Sequence, residues 1–166
     1  MSFRYSKVLC AMLDSSGSIN KAMRVIFRTD ATPQIGTGHF MRCLTLADEL
    51  RKADCNVSFI CHDLPAHFAA MLSEREISWL PLTGTSSGSA SDGLAHSHWL
   101  WTDQAHDAEA CLQLLSASNW DWVIVDHYAL DYRWEACLRK VTRKIMVIDD
   151  LADRRHDCDV LLDQNY

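Results

Sequence analysis

From Met23 onward, short apolar runs rich in β-branched residues alternate with longer stretches of helical period. This alternation restricts the fold more than any other feature of the chain. Strands separated by a helix's worth of residues cannot pair through tight hairpins, so they build a parallel sheet with the helices laid on its faces. The strand candidates are 24–28, 56–61, 77–80, 122–126, 144–149 and 159–162. Between the first two, residues 37–53 place Phe40, Leu44, Ala47 and Leu50 at spacings of three and four, an apolar stripe along an amphipathic helix. Weaker helical patterns cover 65–75, 103–117 and 131–142, with Ala105, Ala108, Leu112 and Leu115 set on one face of the second of these. Because crossovers between parallel strands are right-handed, the expectation is an α/β, Rossmann-like, doubly wound sheet covered on both faces.

A chain of 166 residues has room for about one domain at roughly 150 residues each. Its 48% hydrophobic and 23% charged residues can bury a core and exclude disorder, collagen and coiled coil. The domain is expected over 23–166. Residues 1–22 read as a poorly ordered leader or extension ending in the loop-like Asp14 to Ser18. Within them the apolar run Val8 to Leu13 is too short for a signal h-region or a membrane span of about 20 residues. Residues 83–93, dominated by Ser and Gly, read as a mobile loop. The chain stops just after its last expected strand, without the helix that usually follows one, as at a cut between domains.

Sixteen Lys and Arg against 22 Asp and Glu leave a net charge of −6, which argues against a nucleic-acid partner. Seven cysteines without a C-x-x-C pair write neither a disulfide framework nor a zinc ribbon. Free thiols in a cytoplasmic setting, away from membranes, are the expectation.

In an open α/β sheet, ligands bind outside the carboxyl ends of the strands, so the loops after each strand hold the candidate chemistry. The first such loop ends Gly36-Thr37-Gly38-His39 and delivers His39 into the first turn of the following helix. Its glycines permit unusual backbone and leave N–H groups free for an anion or a polar sugar. The positive end of the helix disfavours imidazolium, leaving a neutral ring able to accept a proton near pH 7, as a general base must. The alternative is a tightened turn with His39 as a cap. A dinucleotide fingerprint is not met, because Met41 stands where its third glycine belongs.

After the fourth strand, Asp126-His127-Tyr128 brings an acid, an imidazole and a phenol to one strand end. The trio suits orienting a base or holding sugar hydroxyls; otherwise Asp126 caps the next helix and the two rings pack over the sheet edge. Asp149 and Asp150 follow the fifth strand, able to take Mg²⁺ or hydroxyls but more ordinary as caps and salt-bridge partners. His96-Ser97-His98-Trp99-Leu100-Trp101 lacks the carboxylates of a metal site, and its tryptophans read as closing the loop onto the core. No metal and no cofactor are expected.

These motifs, Met23 to Asp30, Gln34 to Leu44, Val125 to Tyr128, Ile148 to Asp150 and Cys158 to Asn165, resemble in order the UDP-2,4-diacetamido-2,4,6-trideoxy-β-L-altropyranose hydrolases of pseudaminic acid biosynthesis. The resemblance runs from Met23 to Tyr166. It implies the N-terminal half of a glycosyltransferase-B-like fold, with a UDP-linked amino sugar between two Rossmann-like domains. It also implies attack of water on the anomeric carbon with inversion and loss of UDP. His39 matches the catalytic base, Tyr128 a residue near the sugar, and Gly36 and Gly38 the loop beneath it. Asp30 and His127 are expected at the substrate, with Asp126, Asp149 and Asp150 in support. The C-terminal domain that grips uridine and diphosphate is missing, which puts catalysis by this chain alone in doubt unless a separate chain supplies it. Two other readings stay open: the acceptor-side domain of a glycosyltransferase of the same architecture, and a non-catalytic sugar-binding or interaction fragment.

Overall fold

The computed structural model describes Met12 and residues 22–84 and 92–165. Apart from Met12 and Ala22, the expected leader lies outside the described residues, as do residues 85–91 of the expected mobile loop. The described chain forms β1 (Arg24–Thr29), α1 (Gly38–Lys52), β2 (Asn56–Cys61), α2 (Ala66–Glu74), β3 (Ser78–Pro81), α3 (Gln104–Leu115), β4 (Trp120–Asp126), α4 (Tyr132–Leu138), β5 (Thr142–Ile148) and β6 (Val160–Leu162). A single 3-10 turn, Ser97–Trp99, precedes α3. The strands form one parallel sheet in the order β3-β2-β1-β4-β5-β6. The fold is therefore the expected α/β, Rossmann-like, doubly wound sheet.

The two-residue period of the strands sorts their side chains between two cores. Val25 and Phe27 of β1 join Trp122 and Ile124 of β4 beneath Phe40, Leu44 and Leu50 of α1 and Phe68 and Leu72 of α2. Ile26 of β1 and Val123 and Val125 of β4 face the other way, under Ala108, Cys111 and Leu115 of α3 and Trp134 and Leu138 of α4. The chain thus winds outward from β1 to β3 with its helices on one face, then returns to β4 and continues to β6 with helices on the other. The direction reverses between the adjacent strands β1 and β4. Loops diverge there in opposite directions and leave a crevice at the carboxyl ends.

Several boundaries differ from expectation for identifiable reasons. The buried side of α3 is Gln104, Asp107, Ala108, Cys111 and Leu115 rather than a stripe through Ala105 and Leu112. The helix is rotated to carry a charged residue inward because a charged partner waits there. Arg28, on the same face of β1 as Ile26, is fully buried. Its Nη2 lies 2.7 Å and its Nε 3.3 Å from the two carboxylate oxygens of Asp107, and its Nη1 lies 2.7 Å from Asp30. Trp101 and Trp134 donate their indole N–H groups to the same Asp107 at 2.9 and 2.8 Å. A buried charge is tolerated only when paired and hydrogen-bonded, and this network meets both conditions.

The last helix stops at Leu138 instead of running to residue 142, closed by a bond from the Val141 N–H to the Leu138 carbonyl, so Thr142 opens β5. That strand ends at Ile148 because the Asp149 carboxylate turns back to accept the N–H groups of Leu151 and Ala152.

Candidate active site

The crevice between β1 and β4 gathers residues from three loops and one helix. Parallel pairing sets Thr29 opposite Asp126, so the ends of the two strands are level. Asp126 follows Ile124 by two positions and shares its face, which is the α1 side. The chain leaves β1, turns through Gly36 with φ of +79°, and enters α1 at Gly38, making His39 the second residue of the helix. Gly36 thus requires the conformation that glycine permits. Gly38 does not: its φ is not positive, and an added Cβ would meet nothing within 4 Å. Of the two glycines expected to need special backbone, only the first does. Thr37, at the helix N-cap, makes no side-chain cap hydrogen bond.

His39 and Asp126 meet across this gap. The imidazole Nδ1 lies 2.5 Å from Asp126 Oδ1. A carboxylate only accepts, so Nδ1 carries the proton and Nε2 of the neutral ring keeps its lone pair. Asp126 therefore does not cap α4, whose N-cap is Asp131. It is wholly buried and also accepts Arg42 Nε at 2.5 Å and Nη2 at 2.6 Å in a two-pronged pair. Arg42 Nη2 stands 3.4 Å from His39 Nδ1, but both are donors there and the carboxylate between them takes both protons. Cys43 completes the shell with Sγ 3.5 Å from Asp126 Oδ2. Burial, and then the charge of Asp126, push its thiol well above the usual range, so it stays protonated and is no nucleophile at neutral pH.

Tyr128 stands edge-on to His39 at 4.5 Å between ring centroids and 80° between planes. Its hydroxyl donates to Asp150 at 3.2 Å, and burial raises its ionisation above the ordinary phenol value. Asp150 also pairs with Nη1 of Arg42 and accepts the Gln164 N–H at 2.9 Å. Burial opposes its charge, but the Gln164 N–H and Arg42 prevail and hold the carboxyl below its ordinary value. Arg42 consequently bridges the end of β4 and the loop after β5.

Asp30 and His127 are brought together beneath this surface rather than on it. Asp30 is 1% exposed; it accepts Arg28 and the backbone N–H of His62 at 2.7 Å, and its Oδ2 lies 3.2 Å from His127 Nε2. Burial works to raise the Asp30 carboxyl, yet the Arg28 charge and His127 outweigh it and hold it far below the usual range. Burial pushes His127 down, and its Nδ1 accepts the Ala129 N–H at 3.2 Å. Asp149 is similarly enclosed, 2.9 Å from Arg154 and 3.5 Å from His156 Nε2. Against burial, the His156 hydrogen bond and the Arg154 charge hold it at about 2. As they stand, Asp30 and His127 tie together the loops after β1, β2 and β4, and Asp149 braces the loop after β5.

Arg42 was not assigned a role from sequence, although its position three residues after His39 puts both on one helix face. Trp99, read only as packing, does lie against the α3 core but also stacks over Tyr128 at 5.7 Å and 22°. Among the described residues no group of three or more His, Cys, Asp or Glu is placed to hold a metal ion, and no helix is long and apolar enough to cross a membrane. Six described cysteines, Cys43, Cys55, Cys61, Cys111, Cys137 and Cys158, are free.

Fold and site together define an α/β protein of Rossmann-like winding with a charged, histidine-bearing crevice at its switch point. No family model matches the chain. It is 29% identical over 144 residues to the UDP-2,4-diacetamido-2,4,6-trideoxy-beta-L-altropyranose hydrolase of Campylobacter jejuni subsp. jejuni, an alignment covering 86% of this chain and 42% of that protein. The chain thus spans about two fifths of the length of the curated relative it matches.

Proposed function

We propose that this chain is the sugar-side domain of a nucleotide-sugar hydrolase of pseudaminic acid biosynthesis, acting on the UDP-linked diacetamido-trideoxy hexose named for its relative. The observation that carries the reading is the His39–Asp126 pair, 2.5 Å apart at the switch point, which leaves Nε2 free to take a proton. In the reaction, His39 Nε2 accepts a proton from water as the water oxygen bonds to the anomeric carbon. The bond from that carbon to the UDP oxygen breaks, and UDP leaves with the electron pair. The products are the free hexose, inverted at the anomeric centre, and UDP. Asp126 keeps Nδ1 protonated and the ring oriented, and compensates the charge that His39 gains. Arg42 holds Asp126 in turn, and Tyr128 lies beside the sugar.

Developing charge on the leaving diphosphate requires donors, and such stabilisation is usually a large part of catalysis. Both guanidiniums beside Tyr128 are committed to carboxylates, Arg42 to Asp126 and Asp150 and Arg154 to Asp149 and Asp153. In this reading the diphosphate is gripped by a second Rossmann-like domain, carried on the same polypeptide or on a partner chain.

The test is release of UDP from UDP-2,4-diacetamido-2,4,6-trideoxy-β-L-altropyranose in buffer, by the full-length protein carrying this chain. His39→Asn is expected to lower it by at least about 100-fold with unchanged circular dichroism. Undiminished turnover in that variant would overturn the assignment. Release only when a hydroxyl acceptor is added marks a glycosyltransferase, and sugar binding without turnover marks a non-catalytic module.

A further inference from the structure

Beside His39 stands a wall of three aromatic rings that the proposed reaction does not use in full. Trp99, half-buried at the end of the 3-10 turn, lies over Tyr128 at 5.7 Å and 22°. His96, also half-buried, packs edge-on against both, 4.4 Å from Trp99 and 5.6 Å from Tyr128. The ring of His39 meets this wall almost at right angles, at 80° to Tyr128 and 84° to Trp99. The base and the wall therefore form two sides of one corner.

The polar atoms of the wall differ from the neighbouring indoles of Trp101 and Trp134. Trp101 and Trp134 both use their indole N–H groups on Asp107. The indole N–H of Trp99 has no hydrogen-bond partner among the described residues, and Nδ1 of His96 is buried without one. An unpartnered buried polar atom is costly to a folded chain and is commonly retained where a ligand satisfies it. The charges nearby leave no unpaired cation for a phosphate, because Arg42 and Arg154 are each neutralised by two carboxylates. A neutral ligand fits better, one with an apolar face for the rings and an amide for the indole N–H and the imidazole nitrogen.

Resting on the hydrolase reading above, we propose that Trp99, with His96 and Tyr128, recognises an N-acyl group on the hexose, and that Trp99 is a specificity-determining residue. The indole covers the apolar face of the pyranose and its N–H donates to the acyl carbonyl. His96 Nδ1 takes the amide side of the same group. A hexose with hydroxyls in place of acylamino groups leaves both protein atoms unpaired and binds less well.

Saturation-transfer NMR of the protein tests this with two free sugars, 2,4-diacetamido-2,4,6-trideoxy-L-altropyranose and L-altrose, so that the nucleotide contributes nothing. The wild type is expected to saturate the acetamido methyl protons of the first sugar and to give little signal with the second. Trp99→Leu is expected to weaken binding of the diacetamido sugar about tenfold. Trp99→Phe keeps the stacking but not the donor and falls between. Unchanged circular dichroism verifies that each variant folds. Equal binding of the two sugars by the wild type, binding by Trp99→Leu equal to wild type, or no binding by the wild type would each overturn the wall. UDP release by the same preparations judges the hydrolase reading separately. Acyl discrimination without UDP release sinks that reading and leaves the wall, and release with unaltered sugar preference in Trp99→Leu does the reverse.

Discussion

At the scale of single residues, the site depends on which atom carries which proton. Asp126 accepts from His39 Nδ1 and from two nitrogens of Arg42 while shielded from water. An amide in its place can accept on one atom only and offers donors on the other, so it faces His39 or Arg42 with the wrong group. Asp126→Asn is therefore expected to lower UDP release by about 100-fold or more, measured as kcat at saturating substrate with the fold verified by circular dichroism. The two glycines of the entering loop separate cleanly as well. Gly36→Ala places a Cβ at φ of +79° and is expected to cost about 1–2 kcal/mol in urea unfolding. Gly38→Ala, in helical backbone with open space around it, is expected to be neutral or to stabilise by up to about 1 kcal/mol. The place of His39 in the first turn of α1 was legible in sequence, because the Gly36-Thr37-Gly38 stretch follows a strand and opens an amphipathic helix. The Arg42 bridge was not, because its carboxylate partners lie 84 and 108 residues away and only strand pairing brings them near.

At the scale of elements, two buried ionic clusters fix the loops that bear the site. The first ties β1 to α3 through Arg28 and Asp107, both fully buried. Removing one partner strands the other's charge, so Asp107→Ala is expected to destabilise by about 3–5 kcal/mol, read from chemical denaturation. The second ties the loop after β5 to α4. His156 Nδ1 lies 2.6 Å from Glu135, and its Nε2 lies 3.5 Å from Asp149. Burial alone would lower this imidazole, but the bonds to Asp149 and Glu135 raise it to about 9. A folded value above the unfolded one of about 6.5 means that the stabilisation is complete below about pH 6.5 and disappears as pH climbs through about 9. Melting temperature is expected to fall between those limits, and His156→Gln is expected to flatten that slope. The positions of β1, β2, β4 and β5 were readable because their apolar runs are largely buried on both faces. The inward side of α3 was not, since an aspartate in a helix and an arginine in a strand read as solvated until each supplies the other's reason for burial.

At the scale of the molecule, the position of the candidate site follows from where the winding reverses. Right-handed crossovers force β1 and β4 together with their loops diverging, and His39, Arg42, Asp126 and Tyr128 meet at that point. That much was legible from the alternation of strands and helices, together with the polar residues at the ends of the first and fourth strands. The depth at which Asp30, His127 and Asp149 sit was not, because strand-end polarity alone does not separate a side chain that meets a ligand from one that ties two loops. The chain covers 42% of its curated relative, and in the proposed reaction a second domain supplies the leaving group's contacts. Hydrolysis of the UDP-sugar in ¹⁸O-labelled water, followed by mass spectrometry of both products, tests the central claim most directly. One labelled oxygen is expected in the hexose, none in UDP, and loss of labelling in His39→Asn. Label in UDP, or labelled hexose formed undiminished by the variant, would contradict it.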